Sequence, residues 1–354
     1  MVSRTLLAAL FALALPSLAA ADCYIKTETT TSGFAGLGGM KGETETWTSP
    51  TVQIERSKMD FSSPLVRRFA SGSKSRTITD LDRGVIIQIN DEDKTYTEYS
   101  FAAMKAHLAK ARAQMEEAYD KPTGAERPVP RLRRGAEPEI SIEVQADGPE
   151  KKFAGMKARR AILKMLSVGT DERTGDQVTF KIVYEAWLTP NFEAEADLQA
   201  FSAAYASNLG MDWEDGNPGF EAALGSAGIQ GPRFDTEIRK LKGYPLAYTV
   251  RIGTVLSPEQ KAEYAKMRAE QQSQKKDSGG GFGLGSLKKK VGKKLTEGIG
   301  DKIARSLFGP GISFDADGDP ILFSMTSETK KVGRKSAGDK QSRIPDGYRK
   351  IELP

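Results

Sequence analysis

The sequence predicts an α+β protein, mainly antiparallel β-sheet with helical insertions, on three observations. Residues 24–101 alternate with the two-residue period of strands and are broken by turn residues. After a proline-rich interruption, Glu139–Val144, Ala158–Val168 and Gln177–Leu188 return to that period. Helical spacing appears at 102–118, between the two strand groups, and again only after Leu188.

The first 21 residues have the three regions of a cleavable export signal: Arg4, an apolar run Leu6–Leu15, and a small-residue end at Ala19, Ala20 and Ala21. The run is too short to span a bilayer. Cleavage after Ala21 leaves Asp22-Cys23 at the new terminus. Asp22 disfavours lipoprotein processing, which takes a small neutral residue before the acylated cysteine, so the chain is expected in the periplasm or secreted, not lipid-anchored. Cys23 is the only cysteine. Disulfides within the chain are therefore excluded, and an unpaired, exposed thiol near a loose terminus is the expectation.

Tyr24–Thr30 and Glu43–Thr48 read as hairpin arms around a glycine-rich turn, Gly33–Gly42, and Val52–Arg56 continues the meander. Arg76–Leu81, Val85–Ile89 and Lys94–Tyr99 follow, joined by turns at Asp82-Arg83-Gly84 and Asn90–Asp93. Residues 102–118 switch to helical spacing, with Met104, Leu108, Ala111 and Met115 on one face. His107, the only histidine, lies beside that face without nucleophilic or acidic neighbours, which makes it structural. Four prolines between Lys121 and Pro138 make a solvated linker.

Beyond the second strand group, Phe192–Met211 and Pro218–Gly228 read as short helices and Pro245–Ile252 as a strand. Ser257-Pro258-Glu259-Gln260 opens a polar helix running towards Lys276. Ile312–Phe314 and Pro320–Ser327 form a hairpin, and Arg349–Leu353 a last strand. The organisation is thus a signal (1–21), a meander plus helix (22–120), a linker (121–138), and the rest of the same β fold (139–354) carrying a helical, glycine-rich insertion at 257–309.

The chemical motifs narrow the function by what they lack. There is no Gly-x-Ser-x-Gly elbow, no phosphate loop and no His-Glu-x-x-His, and one histidine cannot serve a triad and a metal site together. Asp315-Ala316-Asp317-Gly318-Asp319 begins like a calcium loop, but glycine stands at the fourth position and Thr326 at the twelfth, so it reads as a hairpin turn. The net charge of +5, or +4 without Arg4, gathers in Arg127–Arg134 and Lys288–Lys294. That favours local contact with anionic surfaces over nucleic-acid binding. In the second patch Leu287, Val291, Leu295, Ile299, Ile303 and Leu307, with Phe308, build an apolar helix face, while Lys289, Lys290, Lys293 and Lys294 lie opposite. Such a helix on a glycine tether, Ser278–Gly285, can lie on an anionic membrane, fold back over an apolar groove, or pack as an ordinary surface helix.

Three stretches carry a resemblance: Ile78–Gly84 with Ile89–Glu98, Phe153–Ala158 leading to Glu185–Thr189, and the ending Ile344-Pro345-Asp346-Gly347-Tyr348-Arg349-Lys350. Together they resemble uncharacterised secreted domains related to the periplasmic lipoprotein-carrier fold of LolA, LppX and RseB type. That resemblance implies a curved antiparallel half-barrel holding acyl chains on a concave face under helices. Lys121–Pro138 and Glu259–Phe308 stand outside the pattern. The expectation is a non-enzymatic periplasmic protein binding a lipid, a lipoprotein acyl chain or another apolar ligand, without cofactor or metal. An envelope protein-interaction module is the alternative, and a hydrolase the distant third.

Overall fold

The computed structural model describes residues 22–34, 37–61, 74–107, 109–110, 139–170, 175–190, 192–210, 241–262 and 313–352. The first six strands are β1 (Cys23–Phe34), β2 (Leu37–Thr48), β3 (Val52–Phe61), β4 (Lys74–Asp80), β5 (Val85–Asn90) and β6 (Thr95–Ser100). They form the expected meander, each paired antiparallel with the next. Then come β7 (Glu139–Gln145), β8 (Glu150–Phe153), β9 (Met156–Thr170), β10 (Gln177–Thr189) and β11 (Tyr244–Thr254). The last are β12 (Ser313–Phe314), β13 (Pro320–Arg334) and β14 (Arg349–Lys350).

All fourteen belong to one large, curved, open sheet, ordered β14-β6-β5-β4-β3-β2-β1-β13-β11-β10-β9-β7, with β12 on β13 and β8 on β9. Only β14 is parallel to its neighbour. The seam between the halves is β1 against β13, where Cys23 faces Arg334 and Thr31 faces Met325. The first and last long strands are therefore central.

Two expectations are corrected. The glycine-rich stretch is not a broad turn: β1 and β2 extend through it, pairing Phe34 with Leu37, Gly33 with Gly38 and Thr29 with Gly42. At Gly42 a Cβ would run into Met59 Sδ on β3, so the missing side chain makes room for a neighbour rather than a bend. Cys23 is also not exposed. It is fully buried in β1, paired on both sides, because tertiary packing ties down a terminus that composition alone leaves loose.

Strand alternation gives the sheet two faces, named here after adjacent residues of β10, Phe180 and Lys181. On the Phe180 face, Leu163, Met165, Phe180, Ile182, Val250 and Ile252 form the main apolar cluster. On the Lys181 face, cross-strand partners Tyr24, Trp47, Ile54, Ile78 and Ile87 make a second. Ala337, Ile344 and Tyr348 cover the latter. Buried Arg76 fastens that cover: its guanidinium pairs with Asp91 at 2.7 Å and donates to the carbonyls of Lys340 (2.7 Å) and Arg343 (3.2 Å).

The helix Glu195–Leu209 crosses the Phe180 face over the row Cys23, Thr48, Gln53, Thr79, Ile86 and Tyr99. Leu198 packs against the apolar cluster that contains Cys23 and Ile25, and at the other end Leu209 and Tyr205 join the cluster of Ile86, Tyr99 and Phe101. Gly210 ends it in the left-handed conformation at φ 68°. Residues 101–107 are helical, and His107 is exposed there. The helix start at Ser257 has the expected reciprocal cap, Ser257 Oγ accepting from Gln260 N and Gln260 Oε1 from Ser257 N. Residues 111–138, the Pro218–Gly228 helix and the rest of the 257–309 insertion lie outside the described residues.

Candidate ligand-binding face

Register defines the composition of the Phe180 face. Across β7, β9, β10, β11 and β13 one row reads Ile142, Met165, Ile182, Ile252 and Phe323. The next reads Val144, Leu163, Tyr184, Val250 and Met325. At the seam the same face changes character. Thr31, Thr29 and Thr27 of β1 oppose Met40, Gly42 and Thr44 of β2, and Thr44, Ser57 and Ser75 follow one another across β2, β3 and β4. Hydroxyls there bond laterally: Thr44 to Ser57 at 3.3 Å, Thr29 to Ser327 at 3.4 Å, and Ser57 to Glu55 at 2.9 Å. One continuous surface is thus apolar on β9–β13 and hydroxylated on β1–β4.

A third row interrupts the apolar half. Ile140, Ser167, Phe180 and Thr254 stand opposite one another on β7, β9, β10 and β11. Ser167 is 0% and Thr254 4% exposed. Neither Ser167 Oγ nor Thr254 Oγ1 has a hydrogen-bond partner among the described residues. An unpaired buried hydroxyl costs on the order of 1–3 kcal/mol, and two flank one phenylalanine. Burial raises the Tyr184 and Tyr248 hydroxyls on the same face above the ordinary tyrosine value. Tyr99 is likewise held at about 12, and its buried OH is unpartnered among the described residues.

The opposite face is ionic where β10 crosses it. Lys181 Nζ lies 2.6 Å from Asp315, 2.6 Å from Asp317 and 3.1 Å from Asp319. Asp319 Oδ1 also meets Lys261 Nζ at 2.8 Å and accepts from Leu256 N at 3.0 Å. Burial would lower the Lys181 pKa, but the three carboxylate hydrogen bonds outweigh it and hold it above the ordinary lysine value. Burial would raise Asp319, and the bonds from Lys261, Leu256 N and Lys181 hold it below 3.8 instead.

The calcium-like segment is a hairpin turn, since Phe314 pairs with Pro320. Its three carboxylates could converge on a metal, but an ammonium already stands among them. The cluster also has a structural role: the Lys261–Asp319 pair ties the helix start at Ser257 to the 315–319 turn. A charged network also covers β9–β11 on this face, where Glu185 bridges Arg160 and Arg251.

Among the sequence candidates, the basic helix Leu287–Phe308 and the cleavage residue Ala21 lie outside the described residues. Ser167 and Thr254 were missed. Their signal was parity, because Ser167 continues the buried series Leu163, Met165, and Thr254 continues Val250, Ile252.

Comparison with protein families, with curated proteins and with solved structures finds no match.

Proposed function

We propose that this is an exported, non-enzymatic protein that carries an amphipathic ligand on the Phe180 face. The acyl portion lies against the partly exposed Ile142, Phe323 and Met325 of the apolar half, and polar groups of the ligand meet the partly exposed hydroxyls of Thr27, Thr29, Thr31 and Thr44 on β1 and β2. The observation that carries this reading is the change along one continuous face from apolar rows on β9–β13 to hydroxyls on β1–β4. The face holds both kinds of surface an amphiphile needs, side by side.

Release without a lipid anchor is supported by the first described residues. Asp22 accepts from Lys335 N through its carbonyl (2.9 Å) and from Ala337 N through its carboxylate (3.0 Å). The buried Cys23 thiol leaves no outlet for a thioether-linked lipid. Membrane contact is assigned to the basic, amphipathic sequence Leu287–Phe308. Deleting Ser278–Phe308 should abolish binding to anionic liposomes, and unchanged binding would remove that role.

Native mass spectrometry of gently purified protein tests the carrier reading, with an acyl-bearing adduct expected. Thr27→Val and Thr31→Val sharpen it. Removing these partly exposed hydroxyls while keeping side-chain shape should leave the protein folded, while adduct retention falls. A clean unliganded mass in repeated preparations would refute carriage and favour an interaction module.

A further inference from the structure

We infer that β7 is a self-complementary docking edge through which two copies of this chain join their sheets. β7 pairs with β9 along its whole length, Glu139 with Val168 through Gln145 with Ile162, and no described strand lies on its other side. Native edges are usually blunted by proline, lysine or a bulge. Glu-Ile-Ser-Ile-Glu-Val-Gln has no proline or lysine, and its register with β9 is unbroken. Val144, 37% exposed, is one of two exposed large apolar residues among those described.

The sequence of the strand fixes the pairing. In an antiparallel pair of identical strands centred on Ile142, Ile142 faces itself and Ile140 faces Val144. Ser141 then faces Glu143, and Glu139 faces Gln145. Apolar residues stay on the Phe180 face and polar ones on the Lys181 face. Centring on Ser141 would put Glu139 against Glu143, and centring on Glu143 would oppose that residue to its own copy. Centring between residues would set apolar against polar side chains. Cross-strand charge opposition and face matching therefore select the two-fold at Ile142. The result is an isologous interface that runs the two apolar faces together. Seven residues bury little area, so the dimer is reversible and concentration-dependent.

Sedimentation velocity over a wide concentration range tests it. Ser141 is exposed, so substitutions there leave the fold intact. Ser141→Glu sets a glutamate against Glu143 of the second copy twice, and the dimer should weaken about tenfold. Ser141→Lys should strengthen it, and Ser141→Glu with Glu143→Lys should restore at least the original strength. A monomer at every concentration overturns the inference. So does a dimer indifferent to these three variants.

Discussion

Replacing Lys181 by Met removes the ammonium that, alone among the described residues, touches all three aspartates of the 315–319 turn. Its side chain is 7% exposed, Asp319 4% and Asp315 20%, whereas Asp317 is 60% exposed and already screened by water. The loss therefore falls on Asp315 and Asp319. Removing one partner of a buried ion pair costs about 3–5 kcal/mol. Asp319 keeps Lys261 and the Leu256 amide, which puts the expected loss at the low end, about 3 kcal/mol, and lowers the melting temperature by roughly 5–10 °C.

The pH dependence separates this cause from simple mispacking. In the native protein Asp317 and Asp319 sit below the ordinary 3.8. Their contribution is present above 3.8 and is lost as pH falls through the lower folded values. In Lys181→Met, Asp317 and Asp319 lose an ammonium that lowers them, so that contribution is missing at neutral pH and the two proteins converge on acidification. Urea unfolding at neutral pH and again just below 3.8 should show the difference between the two proteins narrowing. Calcium should raise the melting temperature of the variant and not of the wild type, since the oxygens are left to converge on an open site. A loss under about 1 kcal/mol, or one constant over that pH range, would refute the reasoning.

Arg76→Leu leaves Asp91, among the described residues, with the Tyr348 hydroxyl alone and takes the guanidinium donor from the carbonyls of Lys340 and Arg343. It should cost about 3–5 kcal/mol and open residues 336–348 to limited proteolysis while the rest of the chain survives. The Cys23 thiol, raised by burial, should react with maleimide only in denaturant; fast labelling of native protein would contradict its place in β1. Gly253→Ala drives a Cβ into the Pro320 carbonyl, and thermal melts should show a loss of about 1–3 kcal/mol. Gly155→Ala, with open space around it but φ of 83°, should cost about 1–2 kcal/mol from backbone strain alone.

Most of the sheet was legible because its strands alternate, and its turns carry residues that form them for local reasons. Asn90 Oδ1 accepts from both Glu92 N and Asp93 N, and Asp80 from Arg83 N. Legibility failed where a strand's partner lies far away. The charged tail Lys330–Arg334 lacks alternation, yet β13 runs through it because β1 offers a ladder there, interrupted by a bulge next to Lys26. Glu150–Phe153 was invisible for another reason: only four residues long, with three exposed charged side chains, it has no alternation of its own and is held by adjacent β9 across the tight Ala154-Gly155 turn with both φ angles positive. The ionic cluster escaped because Lys181, on β10, lies 136 residues before Asp317. A calcium-like spacing was readable; the ammonium that fills it was not.

The seam has a consequence for how the chain folds. Residues 23–31 pair with 325–334, so the two halves of the sheet join only when nearly the whole chain is present. Contacts of that sequence separation form late, since loop closure comes before their reward. Until then β1 exposes Tyr24 and Ile25 and an unpaired edge, an aggregation hazard. Under the proposed export this order is fitting. A chain crossing a membrane amino end first keeps β1 waiting on the far side while β13 is still to arrive, and it cannot fold prematurely inside. Truncation before Pro320 should therefore leave a species without the cooperative unfolding transition of the intact protein, even though the meander β1–β6 is complete. A truncated chain that melts cooperatively near the full-length temperature would show that the meander stands alone and that the seam joins two independent units.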